Sequence, residues 1–244
     1  MNVDVKVVVR MVSEQGFVEG LRFIIKERGT ECLNLGKDHD VFHVACKAEQ
    51  IEVVKFLLAL EEFENTTLLN SEFWGGLSKL SEANIIEIIS ELLVCGKFDI
   101  NKTTVPPQGV SLLFHAIENN RKLLADYLIQ QGADVSFVGR SGLLGTISCT
   151  CLSAIQMPSV LPDVLKRGGN ANDVYDKNGQ SILMLAFENY ADRRTIEELV
   201  RAGANLTWRD NSGKTTLSML KSLDQFYGVL DAGVQLNSSL RVKI

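Results

Sequence analysis

One spacing constrains this chain more than any other feature of it. The segment Gly132-Ala-Asp-Val135 recurs as Gly168-Gly-Asn-Ala-Asn172 and as Gly203-Ala-Asn-Leu206. The steps are 168 − 132 = 36 and 203 − 168 = 35 residues. Upstream, Asp99 of Phe98-Asp-Ile-Asn101 lies 134 − 99 = 35 residues before Asp134. Downstream, Gly233-Val-Gln-Leu-Asn237 closes the series with a shorter step. A second landmark keeps the same pace. Gly109 to Ala116, Gly179 to Ala186 and Gly213 to Leu220 share the shape Gly-x-Ser/Thr-x-Leu-x-x-small. Ala116 and Ala186 are 70 residues apart, two periods. A weaker copy runs from Ser141-Gly142 towards Ala154, and Phe42-His-Val-Ala45 holds a second half only. A period of this length means small units that bury a core by stacking on their neighbours.

Each copy has a physical reading. Asp176-Lys-Asn-Gly179 and Asp210-Asn-Ser-Gly213 are turn sequences, with Asp first and Gly fourth. The Ser or Thr that follows is a helix N-cap, whose oxygen accepts from an unpaired amide of the first turn. A short apolar helix comes next. A second helix then shows apolar residues at helical spacing, as in Leu123, Leu124, Tyr127 and Leu128, or Ile196, Leu199 and Val200. It stops at Gly132, Gly168 or Gly203, the residue that a left-handed C-cap favours.

These units resemble ankyrin repeats, whose pattern runs D-x-x-G-x-T-P-L-H-x-A, then a helix, then G-A-D-V-N. Residues 109–136 and 176–207 carry the resemblance best. The proline of the T-P-L-H tetrapeptide is missing in every copy: Leu112, Ile182 and Thr216 stand in its place, and His43 alone keeps the histidine. The chain is thus similar to a divergent ankyrin repeat protein. The resemblance implies an all-α, ankyrin-type helical repeat solenoid with short turn or β-hairpin fingers and about seven units. Their approximate bounds are 3–29, 36–60, 70–96, 109–132, 142–168, 176–203 and 210–233, in a single ankyrin repeat domain over residues 1–244. Within the first unit Val8, Val9 and Val12, then Leu21, Ile24 and Ile25, face the core, although the alternation from Val3 to Val7 also suits a strand. The second and third units place Val53, Val54, Phe56, Leu57 and Leu58, then Ile85, Ile86, Ile88, Ile89, Leu92 and Leu93, on their second helices. The first helix of the third unit, from Trp74 to Leu80, is poor and holds a Gly-Gly pair. The linker 103–108 is a candidate hinge or contact loop. Pro158 and Pro162 are expected to shorten or offset the helices of the fifth unit.

Composition narrows the function. A net charge of −5 with scattered Lys and Arg argues against a nucleic-acid surface. No window approaches the roughly 18 apolar residues a membrane span needs. Residues 1–10 carry charges where a signal peptide has an apolar stretch. The five cysteines, Cys32, Cys46, Cys95, Cys149 and Cys151, are odd in number and sparse. A reduced intracellular compartment, cytoplasmic or nuclear, fits them. The sequons at Asn65, Asn205 and Asn237 are then chance matches.

Several motifs invite chemistry and do not sustain it. Ser212-Gly-Lys-Thr-Thr216 looks like the end of a phosphate-binding loop, but Trp208 stands where that loop needs a glycine. Cys149-Thr-Cys151 is one Cys-x-Cys pair with no second pair to complete a zinc site. His39 and His43 sit four residues apart, yet His43 fills the repeat's own histidine position. Cys46 beside His43 lacks a third orienting group. Glu61-Glu62 and Glu197-Glu198 are solvated helix faces. The sequence therefore offers no catalytic residue, no metal ligands and no cofactor.

The resemblance implies a non-enzymatic scaffold or adaptor that binds another protein on its concave face and turn tips. The alternative is a regulatory or targeting ankyrin segment of a larger enzyme or channel, suggested by the apolar Val234, Leu236, Leu240, Val242 and Ile244. Carried over position by position, the tips supply Phe137, Arg140, Tyr175, Lys177, Asn178, Trp208 and Arg209. The first helices supply Glu118, Asn119, Glu188 and Asn189, and Tyr190 joins the aromatic residues near the tips. Trp208 beside Arg209 leads the set, because interface hot spots are enriched in Trp, Tyr and Arg. Packing of the indole on the neighbouring hairpin is the competing role for Trp208.

Overall fold

The computed structural model describes residues 4–33, 41–60, 76–94, 96, 99–101, 109–141, 145–175, 178–189 and 191–231. The chain divides into two compact units, Met1–Pro107 and Gln108–Ile244.

In the first unit, α1 (Val5–Glu14) begins at Asp4, whose carboxylate accepts from the Lys6 amide at 3.0 Å. That cap settles the ambiguous Val3–Val7 run as helix from Val5 onward. Helix α2 (Val18–Arg28) returns beside α1, and α3 (Val41–Lys47) pairs with α4 (Ile51–Ala59) in the same way. Both returns use one turn. The Phe17 amide reaches Val12 O at 2.9 Å and the Gln50 amide reaches Ala45 O at 2.9 Å. The preceding residues, Gly16 and Glu49, take positive φ of 74° and 55°. Helix α5 (Glu82–Val94) packs Ile85, Ile88, Ile89 and Leu92 inward. Its Glu91 and Glu87 flank Lys55 of α4, with Lys55 Nζ 2.8 Å from Glu91. The first helix of the third unit is vestigial, as the sequence suggests: residues 76–77 are helical and then turn. Gly76 has a packing reason, since a Cβ there would sit 2.8 Å from the Phe42 ring.

The second unit repeats a helix pair and a finger. Helix α6 (Leu112–Glu118) pairs with α7 (Lys122–Gln130), and α8 (Cys149–Gln156) with α9 (Leu161–Lys166). Helix α10 (Ile182–Glu188) pairs with α11 (Arg193–Arg201). A 3-10 turn (Thr216–Met219) precedes α12 (Leu223–Asp231). The first helices are the core: every residue from Cys149 to Ala154 and from Ile182 to Phe187 is buried. Ser111, Ser181 and Thr215 cap their helices as the sequence predicts, accepting from the amides of Phe114, Met184 and Ser218.

Two details depart from expectation. The fifth unit, whose weaker copy opens at Ser141-Gly142, takes its cap from Ser148, which accepts from the Cys151 amide at 3.1 Å. Its finger is longer. The strands β1 (Val138–Ser141) and β2 (Gly145–Ser148) span 148 − 138 = 10 steps, whereas β3 (Val174–Tyr175) and β4 (Gln180–Ser181) span 181 − 174 = 7. Leu123, placed by its spacing on the buried face of α7, is 62% exposed, while Leu124 and Leu128 are buried. Pro162 sits in the first turn of α9, which is only six residues long, in line with the expected shortening.

The repeated Gly-Ala-Asp element has a common geometry. Gly132, Gly168 and Gly203 have φ of 90°, 100° and 89°, which end the second helices in the left-handed conformation. Two residues on, a side-chain oxygen turns the chain. Asp134 accepts from the Ser136 amide at 2.8 Å, Asn170 from Asn172 at 3.0 Å and Asn205 from Thr207 at 2.8 Å. In the first unit Asp99 does the same for Asn101 at 2.9 Å. The period read in the sequence is therefore the period of an Asx turn.

Candidate functional site

The fingers of the second unit share one register. In each, the residue that opens the finger accepts from the first amide of the following helix or 3-10 turn: Phe137 from Cys149 at 2.9 Å, Asp173 from Ile182 at 3.1 Å, Trp208 from Thr216 at 3.0 Å. The next residue pairs with the helix cap: Val138 with Ser148, Val174 with Ser181, Arg209 with Thr215. Val138, Val174 and Arg209 thus occupy one position in three successive fingers, and all three are exposed. Burial along β1 alternates, so Arg140 shares the outer face with Val138.

Neighbouring fingers are tied together. Strand β2 lies beside β3. The Asn211 amide donates to Asn178 O at 2.8 Å, and the Trp208 indole N–H donates to Gly179 O at 2.7 Å. At the base, Asn172 bridges to the next repeat: its Nδ2 donates to Gly203 O at 3.0 Å and its Oδ1 accepts from the Asn205 amide at 2.8 Å. Each such bond contributes about 1 kcal/mol net, but together they fix finger spacing.

The sequence-chosen residues fall into two groups. On the fingers, Phe137, Tyr175 and Trp208 are half-buried, and Arg140, Asn178 and Arg209 are exposed. Phe137 stands edge-on to Phe114 of α6, centroids 5.9 Å apart. Arg209 donates to Gly213 O of its own turn at 3.1 Å. The Trp208 ring spends its N–H within the fold, so the hairpin-packing role is occupied. At the ends of the first helices, Asn119 and Asn189 are exposed and Nδ2 of each returns to a helix carbonyl, His115 O and Leu185 O, at 2.9 Å. Glu118 is half-buried; Glu188 is exposed and accepts from Gln180 Nε2 at 3.2 Å. That bond joins the finger strand β4 to the end of α10 and links the two groups in one repeat. Lys177 and Tyr190 lie outside the described residues, as do the 103–108 linker and His39. Sequence reasoning passed over Val138 and Val174. No signal in the sequence marked them, because their place opposite the capping serines comes from the strand register.

Residues 42–138 match the family model for ankyrin repeats, in three copies. The unit of paired helices and finger continues with the same caps and the same Asx turn through residue 216. Residues 42–138 are thus ankyrin repeats, and the chain has the ankyrin repeat fold. Its fold is shared with the human ASB11 ankyrin repeat domain, at a TM-score of 0.61 and 17% identity, with 92% of this chain and 96% of that one covered. It is shared also with the ankyrin repeat domain of Bcl-3, a member of the IkappaB family, at a TM-score of 0.66 and 17% identity, with 91% and 97% covered. No curated protein sequence matches the chain significantly.

Within the ankyrin repeats, the motifs that invited chemistry have structural roles. The amides of Ser212 and Lys214 donate to Asp210 Oδ1, both at 2.9 Å, and that of Gly213 to Asp210 O at 2.9 Å. This loop folds on its own aspartate, and its amides are not turned to a phosphate. Cys149 and Cys151 are fully buried in α8, and burial pushes both thiols up to about 12, far from the thiolate a nucleophile needs. Cys46 is buried against Gly76. Among the described residues, no cluster of three or more His, Cys, Asp or Glu side chains is arranged to hold a metal ion. Among them also, no helix is long and apolar enough to cross a membrane. Ankyrin repeats generally serve as protein-interaction modules, and the ankyrin fold is typically not catalytic.

Proposed function

We propose that this chain is a non-enzymatic scaffold or adaptor that holds a partner protein. The contact surface is the face made by the fingers and first-helix ends of the second unit. The observation that carries the reading is the register of the three fingers. It repeats one exposed position, Val138, Val174 and Arg209, along a row cross-linked by Trp208 to Gly179 and Asn211 to Asn178. Cross-linked fingers hold their side chains in place before a partner arrives, which lowers the ordering cost of binding. Phe137, Arg140, Tyr175, Lys177, Asn178 and Arg209 are the proposed finger contacts, with Trp208 contributing the exposed part of its ring. Glu118, Asn119, Glu188 and Asn189 are the proposed helix-end contacts, and Tyr190 is a further proposed contact. The four described cysteines are free thiols, in keeping with a reduced cytoplasmic or nuclear setting. The alternative, a regulatory segment of a larger enzyme or channel, rests on residues 234–244, which lie outside the described residues.

The test is capture from a cytosolic extract by the wild-type chain and by a Tyr175→Ala, Asn178→Ala, Arg209→Ala variant with unchanged circular dichroism. Trp208 is left intact because it holds the fingers together. A protein kept by wild type and lost by the variant supports the reading. Equal capture moves the contact off the fingers. No specific capture by either argues against a scaffold.

A further inference from the structure

The fingers carry a chemical bias that the scaffold reading does not use. The shared outward position is aliphatic in two fingers, with Val138 56% and Val174 47% exposed. In the third finger it is Arg209. β-branched side chains standing in water on a strand cost free energy that a covering surface recovers. The outward charges on the described parts of the first and third fingers are cations. Arg140 shares the outer face of β1 with Val138, and Arg209 and Lys214 are exposed on the third finger. The described acids nearby are engaged in bonds of the fold: exposed Glu188 accepts from Gln180 of β4, and exposed Asp134 from the Ser136 amide. Asp173 accepts from Asn170 Nδ2 at 2.8 Å. Asp210 is buried and accepts from the Ser212 hydroxyl and amide and from the Lys214 amide. In a chain of net charge −5 this row shows solvent aliphatic carbon and cations.

We infer that the finger row of the second unit binds an extended acidic segment of a partner protein whose aliphatic side chains cover Val138 and Val174 while its carboxylates meet Arg140, Arg209 and Lys214. The inference rests on the scaffold reading and adds the chemistry of the partner. Three properties argue for this occupant over others. The row is one residue wide and runs across successive fingers, which suits an extended chain more than a globular face. Arg pairs with carboxylates in two-point geometry, which adds direction to attraction. The like charge of Arg140, Arg209 and Lys214 works against basic partners, which gives the row selectivity.

A random linear peptide display library, panned against the full chain and against an unrelated folded protein, tests this without presuming a sequence. The expected pool is net acidic and rich in Leu, Ile and Val. Its binding should fall roughly tenfold with Val138→Ser, Val174→Ser, and again with Arg140→Glu, Arg209→Glu, and should weaken with added salt. Both variants keep the buried residues and can be checked by circular dichroism. A pool that is neutral or basic, or one indifferent to both variants, overturns the inference. If such a pool instead depends on Glu188 and Asn189, the scaffold reading stands and the acidic partner falls. No enrichment over the control protein removes this inference, while capture of a partner from extract, lost in the finger variant, would still uphold the scaffold.

Discussion

Glu49 shows what a repeat fold asks of a single residue. It occupies the inter-helix turn at φ 55°, where the equivalent positions hold Gly16 at 74° and Asn120 at 54°. The same pair of turn bonds closes all three, with Arg121 reaching Ala116 O at 2.8 Å in the third case. Glycine reaches this conformation freely and asparagine readily, but glutamate carries the left-handed steric cost of about 1–2 kcal/mol. Offset by the greater unfolded-state entropy of glycine, Glu49→Gly should stabilise the protein by roughly 0.5–1 kcal/mol. Glu49→Ala should not, because alanine keeps the Cβ; urea midpoints of the two variants check this. His115 makes a second prediction. Burial lowers its pKa, with Glu118 opposing and Arg121 reinforcing. The unfolded state therefore takes up its proton first as pH falls. The His115 contribution is complete above about 6.5, the unfolded value, and declines below it until the folded form also protonates. Unfolding free energy should thus fall as pH drops below about 6.5, more steeply in wild type than in His115→Gln. Equal slopes would assign the pH dependence to other groups. Residues like these were only half legible. A turn glycine announces itself, but nothing in the letters Ala-Glu-Gln says that Glu49 takes its place.

At the scale of elements, the landmarks that read well are those whose chemistry is local. The capping hydroxyl and the Asx oxygen act on amides two or three residues away, so Ser111 and Ser181 could be placed from sequence alone, and Asn170 and Asn205 stood out as a recurring landmark. The fifth unit was harder because its finger is three residues longer than the next. That length places the cap at Ser148, well beyond the Ser141-Gly142 that opens the weaker copy. A test follows directly. Ser148→Ala should cost about 1 kcal/mol, while Ser148→Thr should cost little, since Thr215 does the same work in the last repeat. If alanine is tolerated without loss, the start of α8 is held by packing alone. Helix faces were less legible than caps. Leu123 and Leu124 are adjacent apolar letters, and which of them faces the core depends on the helix on the other side. The finger row was missed for a related reason. A valine in a short strand reads as core, and only the folded structure shows that Val138 and Val174 stand exposed.

For the whole molecule the open matter is cooperativity. The structure resolves into two compact units at residue 107, yet the repeat keeps its phase across that point. Asp99 and Asp134 are 35 residues apart and make the same Asx turn on either side of it. We propose that the repeats unfold as one domain. In a linear array, stability is the sum of unit stabilities and nearest-neighbour terms. The array melts together when the coupling at each junction exceeds the difference in stability of the parts it joins. The two tryptophans make this measurable, because Trp74 falls in the first unit and Trp208 in the second. In Trp74→Phe, fluorescence reports only on Trp208, whose indole N–H is bonded to Gly179 O and whose environment changes when the fingers part. Far-UV circular dichroism reports on the helices of both units. Coincident urea transitions are expected from the two probes, with equal midpoints and slopes. A fluorescence transition displaced from the dichroism would mean that the second unit unfolds on its own. The scaffold would then be two domains joined near residue 107, and the finger row would belong to the second alone.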